Sequence, residues 1–109
     1  MYKLEYLPIA RRDIIDIARY IKKVLGNPSA ASKLAKELVE AAESLRQFPY
    51  ACPIYYPLQP CGRDFRKLSV KNYILFYWVD EEQNTVTVAR VVYAKRSYDD
   101  LLRDPTLLN

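Results

Sequence analysis

The sequence predicts an α+β domain, order β-α-α-β-β-β, with an N-terminal antiparallel helical hairpin packed on a mainly antiparallel four-stranded sheet. Three observations carry this reading. Residues 2–7 alternate, with Tyr2, Leu4 and Tyr6 on one face and Lys3 and Glu5 on the other, as in a half-buried strand. Two stretches with helical spacing follow between Pro8 and Leu45, and a connection of about three residues between them forces an antiparallel hairpin. Three runs rich in β-branched and aromatic residues then occupy residues 65–70, 73–79 and 85–93. The chain has 109 residues, and 1–109 reads as a single domain.

Each element has a local cause. Pro8 suits the first turn of a helix, where its missing N–H costs nothing. Ile14, Ile17, Ala18, Ile21, Val24 and Leu25 form one apolar stripe, while Arg12, Asp16, Arg19 and Lys23 hold the opposite face. Arg12 with Asp16, and Asp16 with Arg19, are expected as helix-neighbour ion pairs. Gly26 stops that helix, and Asn27-Pro28 starts the next as cap and first helical residue. Ala31, Leu34, Ala35, Leu38, Ala42 and Leu45 make its buried stripe, and the alanines allow close helix–helix approach. Phe48-Pro49 closes the hairpin.

From Tyr50 to Gly62 runs an irregular connection with three prolines, too proline-rich for a central strand. Lys71-Asn72 is a tight turn, and Asp80 to Asn84 is a longer polar hairpin loop. The run from Tyr73 to Val79 is apolar on both faces, which marks a central strand with the helices against one side. Tyr73 and Tyr77 share a face and read as core. Trp78 shares the other with Ile74 and Phe76, and marks a partner site if that face is open. The tail from Ser97 to Asp104 suits a helical turn capped by Ser97, broken by Pro105.

Composition excludes several function classes. There is no histidine, which removes every Ser-His-Asp and Cys-His nucleophile and the commonest base at neutral pH. Cys52 and Cys61 bracket a proline-rich stretch at a spacing that fits no zinc motif, and without a secretory h-region they are expected as reduced thiols rather than a disulfide. No apolar run approaches the length of a membrane span, so the expected setting is cytoplasmic, with no cofactor. The net charge of +4 and pI of about 9.1 lean towards an acidic partner.

The candidate functional residues are cations at strand ends beside tyrosines. Arg66 opens the second strand, either to pin it through a carboxylate or to meet a partner. Lys67 and Lys71 alternate outward with Ser69, as a solvated face would. Arg90 interrupts Val86, Val88 and Val92, so it either pairs with a carboxylate or faces a partner, because a buried unpaired guanidinium is too costly. Lys95 and Arg96 stand where the last strand runs out, followed by Tyr98.

The run Arg66-Lys67-Leu68-x-Val70-x-x-Tyr73-x-x-Phe76-Tyr77 and the C-terminal Lys95-Arg96-Ser97-Tyr98-Asp99 resemble the RelE/ParE superfamily of type II toxin–antitoxin toxins. Leu7-Pro8-x-Ala10-x-x-Asp13-Ile14-x-x-Ile17-Ala18-x-Tyr20-Ile21 and Phe48-Pro49 look like its ParE branch. The resemblance implies growth arrest, either by inhibiting DNA gyrase or by cutting mRNA at the ribosome. A non-toxic binding module on the same fold is a further alternative. It also implies a small acidic antitoxin and a toxin–antitoxin hetero-oligomer. Arg66, Arg90, Lys95, Arg96 and Tyr98 are then the target- and partner-binding residues. Were the chain a ribonuclease, Lys67, Arg96 and Tyr98 would be catalytic. The RNA-cutting branch carries an arginine directly after the strand tyrosine, where this sequence has Ile74, and that difference favours gyrase.

Overall fold

The computed structural model describes residues 1–56, 63–96 and 99–103. Its elements run β1 (Lys3–Tyr6), α1 (Pro8–Lys23), α2 (Pro28–Ser44), β2 (Arg66–Val70), β3 (Tyr73–Asp80), β4 (Thr85–Tyr93) and α3 (Asp99–Leu102). The sheet order is β1-β4-β3-β2. The last three strands are antiparallel neighbours, whereas β1 lies parallel to β4, with Leu4 opposite Val86 and Tyr6 opposite Val88. A parallel pair needs a crossover, and the two helices with the hairpins behind them supply it. Ser97, the expected cap of α3, lies outside the described residues, as do Cys61, Pro105 and the C-terminal leucines.

The helical hairpin forms as the residues dictate. Pro8 and Pro28 stand at first-turn positions, and the Asn27 side chain accepts a hydrogen bond from the Ala30 N–H at 3.1 Å. Gly26 takes a φ of +63° at the break between the helices. Ala10, Ala31 and Ala42 are buried, which lets the helices and sheet approach closely. They pack on the sheet face formed by Leu75, Tyr77, Val86, Val88 and Val91. Tyr77 is fully buried there and donates to the Pro49 carbonyl at 2.8 Å, so the phenol satisfies itself at the end of the hairpin.

Three expectations are corrected. The apolar stripe of α1 does not stay buried to its end: Val24 and Leu25 lie past Lys23 and are 65% and 60% exposed. The expected Arg12–Asp16 and Asp16–Arg19 ion pairs are absent from the described residues. All three side chains are exposed, where the gain from pairing is small against the entropy of fixing two long chains. The second sheet face is also closed. Ile74, Phe76, Trp78, Ala89 and Val92 are covered by Phe65 and by Leu102 of α3. Trp78 meets Phe65 edge-on at 5.8 Å, with the Arg63 guanidinium 4.2 Å above its ring, so it is core and not an open anchor.

α1 is locked to β4 at one place. Arg90 Nε and Nη2 donate to Asp13 Oδ2 and Oδ1 at 2.8 and 2.9 Å, and the Val91 N–H donates to Oδ2 at 2.9 Å. The site sits just past a bulge: Phe76 faces Arg90 while Tyr77 faces Val88, leaving Ala89 unopposed. β1 has ended by then, after Leu7 donates to the Val88 carbonyl at 2.9 Å. Asp13 thus takes over the edge of β4 where strand pairing stops, and caps an N–H that would otherwise lack a partner there.

A second clasp closes the opposite end of the sheet. Tyr2 at the start of β1 donates to Glu81 at 2.6 Å, and Tyr50 donates to the same carboxylate oxygen. These donors hold the Glu81 carboxyl below its ordinary value of 4.5, while the carboxylate pushes the Tyr50 phenol up to about 12. A lowered folded-state value means that ionised Glu81 favours folding above pH 4.5, and that this contribution fades as pH falls through the lower folded value. Glu81→Gln is therefore expected to be less stable than the parent near neutrality, with the gap closing in acid. Urea melts of both proteins across that range check this, and a gap independent of pH would contradict it.

Candidate partner-binding groove

The sequence-selected cations do not assemble into one site. Arg90 is committed to Asp13, with side-chain exposures of 9% and 13%, so the carboxylate-pairing alternative is the one realised. Arg66 lies at the far end of β2, opposite Tyr77, where it donates to the Cys52 carbonyl at 2.6 Å and sits over the Tyr50 ring. It pins the irregular connection to the sheet, through a carbonyl rather than the expected carboxylate. Lys67 pairs with Phe76 on the other sheet face, its ammonium 5.5 Å from the Tyr55 ring. Adjacent strand residues point to opposite faces, so Arg66 and Lys67 cannot converge on one ligand. Lys95 and Arg96 are exposed in the turn after β4. Tyr98 lies outside the described residues.

What the structure does assemble is a groove of about 870 Å³ between the helical hairpin and the β3–β4 end. Its floor is Ile17, Ile21, Leu34 and Val91, and its mouth carries Tyr20, Leu25, Tyr73 and Tyr93. Tyr73 and Tyr93 are a cross-strand pair with rings edge-on at 5.7 Å. Burial raises the Tyr73 phenol above its ordinary value, with Tyr93 and Tyr20 adding to the effect, so it stays a neutral donor. Asp16, Lys33, Glu37, Lys71 and Arg96 form a rim of mixed charge. Lys71 reaches Glu37 at 3.9 Å across it and takes a φ of 54° at the turn that brings it there. Of the cations weighed from sequence and described in the structure, Lys71 and Arg96 line this groove, whereas Arg66, Lys67, Arg90 and Lys95 do not.

An apolar trough with tyrosines at its mouth and charges around it suits a partner's amphipathic segment better than it suits chemistry. Sequence patterning missed most of it. Tyr20 and Leu25 fall at the edge and the end of a helix stripe, and an apolar stripe carried right up to Gly26 was the available clue. Val91 and Tyr93 line the groove only because β4 outruns β1, which no local pattern encodes.

Helical hairpin and four-stranded sheet together have the architecture of the RelE/ParE superfamily. The description "ParE toxin of type II toxin-antitoxin system, parDE" matches residues 4–98, and the chain belongs to that family. A chain of the chromosomal ParDE TA system from P. aeruginosa is similar, with TM-score 0.71 and 20% identity over 87% of this chain and 98% of that one. The Mycobacterium tuberculosis RelBE2 toxin–antitoxin complex gives 0.57 and 24% over 84% and 96%. The isolated E. coli RelE toxin gives 0.55 and 22% over 94% and 97%. At these identities the structures establish the fold alone. No curated protein matches the sequence significantly.

Ile74 has a definite environment. It is 4% exposed, opposite Val92, and packed with Phe76 and Trp78. Ile74→Arg is expected to lower stability by about 3 kcal/mol or more, since an unpaired guanidinium would enter a closed apolar layer. Equilibrium urea unfolding measures this, and a change below about 1 kcal/mol would mean the position opens to solvent.

Proposed function

We propose that this chain arrests growth by inhibiting DNA gyrase, stalling it with its DNA cleaved, and that a small acidic antitoxin neutralises it within a hetero-oligomer. The observation that carries the choice of target is Ile74. Where an RNA-cutting relative would hold a phosphate-binding arginine, this chain has a buried aliphatic side chain. Losing a preorganised cation from a phosphoryl-transfer site costs several kcal/mol of transition-state stabilisation. The remaining sheet cations do not compensate, with Arg90 bound to Asp13 and Arg66 and Lys67 on opposite faces.

The groove fits the antitoxin side of this reading. An acidic, amphipathic segment that folds on binding would lay apolar residues against Ile17, Ile21 and Leu34 and place carboxylates near Lys33, Lys71 and Arg96. The antitoxin expectation also agrees with the assemblies described for relatives, the intact E. coli RelBE toxin-antitoxin complex among them.

Purified protein added to gyrase and relaxed plasmid is expected to block supercoiling and accumulate cleaved DNA, while mRNA in a translating extract stays intact. Arg96→Ala is expected to raise the half-inhibitory concentration about tenfold, equivalent to about 1.4 kcal/mol. Uninhibited gyrase together with translation-dependent mRNA cuts would replace this reading with the ribonuclease one.

A further inference from the structure

The chain's positive charge is concentrated where neither the groove nor the strand ends use it. Arg11, Arg12, Arg19, Lys22 and Lys23 are all exposed on α1. At 3.6 residues per turn they fall within an arc of about 120°, opposite the buried side that carries Ala10, Ile17 and Ile21. Ile15, 51% exposed, lies inside the arc, and Asp16 lies at its edge. Setting aside these five cations and Asp16 reduces the chain's 17 cations and 13 acids to 12 of each. The whole net charge of +4 therefore equals the excess on this one face.

Folding does not explain it. Among the described residues none of the five makes an ion pair. Arg19 with Lys22 and with Lys23 are like-charge neighbours at i,i+3 and i,i+4, which cost a helix a few tenths of a kcal/mol each. Only Lys22 and Lys23, in the last turn, gain from the helix dipole. A self-repelling face retained against its cost is the electrostatic footprint of a polyanion.

We propose that the outer face of α1 binds duplex DNA through its phosphate backbone, without reading sequence. Three of the five cations are arginines, whose planar fork matches phosphate oxygens in pairs. From Arg11 to Lys23 the face runs about 18 Å along the helix axis, against one backbone charge per about 1.7 Å of duplex. A protein partner would want a charge-poor, aromatic-rich centre, and Ile15 is the single apolar residue within this arc. Duplex DNA is favoured over duplex RNA by shape. The major groove of B-DNA, about 12 Å wide, admits a helix flanked by cations, whereas that of A-form RNA is narrow and deep. This surface is distinct from the partner-binding groove and can be read on naked DNA, so its failure and that of the gyrase reading are separable.

Anisotropy titration of a labelled random-sequence DNA duplex with the full chain tests the proposal. Affinity should fall with salt at a log–log slope of about −4 to −5, as five phosphate contacts require. The quintuple variant Arg11→Gln, Arg12→Gln, Arg19→Gln, Lys22→Gln, Lys23→Gln should bind at least about 100-fold more weakly at low salt, with a slope near zero. Glutamine matches lysine and arginine in helix propensity, so an unchanged helical circular-dichroism signal is expected. Lys3→Gln with Lys36→Gln removes two cations from other surfaces and should leave binding nearly intact. A parent slope shallower than about −2, which needs no variant to measure, would overturn the proposal. So would equal binding by the quintuple variant, equal affinity for duplex RNA, or equal competition by polyglutamate.

Discussion

The Asp13 carboxylate joins a helix to a strand at the point where the sheet stops protecting its own edge. β1 is only four residues long, so β4 continues beyond it with backbone groups turned towards α1. Asp13 meets that edge with both oxygens, taking the Arg90 guanidinium in a bidentate grip and the Val91 amide besides. Burying two charges is costly, and such pairs often contribute little net stability against apolar replacements. What they supply here is position. The helix is fixed in register with a bulged strand, and the rest of α1 then runs out over Val91 and Tyr93 as one wall of the groove.

That division explains how one small domain can present two different surfaces. The buried side of α1 contributes Ile17 and Ile21 to an apolar trough with a rim of mixed charge, while its outer side holds the chain's excess cations. The second sheet face offers no third surface, because Phe65, Trp78 and Leu102 fill it. Closing it removes Ile74 from any chemistry. Strand alternation also separates Lys67 from Arg66, so that cations adjacent in sequence serve different faces.

Much of this was legible in the residues. Periodicity located both helices and β1, each of which records its buried face in apolar spacing, while the unbroken apolar run of β3 marked a strand covered on both sides. Asn27, Pro28 and Gly26 marked the helix boundaries through local backbone chemistry. The parallel pairing of β1 with β4 was not legible, since it joins residues some eighty positions apart and leaves no local trace. The partner of Arg90 was equally hidden. An arginine among valines announces that it needs a carboxylate, but nothing in the sequence selects Asp13 over the other twelve acids. Trp78 and Leu25 show the converse limit, because apolarity says what prefers to be covered and only the tertiary fold decides what is.

The central claim is that the Asp13–Arg90 contact couples α1 to β4, and a double-mutant cycle tests it most directly. Equilibrium urea unfolding of the parent, Asp13→Asn, Arg90→Met and the double variant yields the coupling energy between the two side chains. The account predicts at least about 2 kcal/mol, with either single change costing more than the pair of changes together would suggest. Additive effects within about 0.5 kcal/mol would show the two residues acting independently and would contradict it.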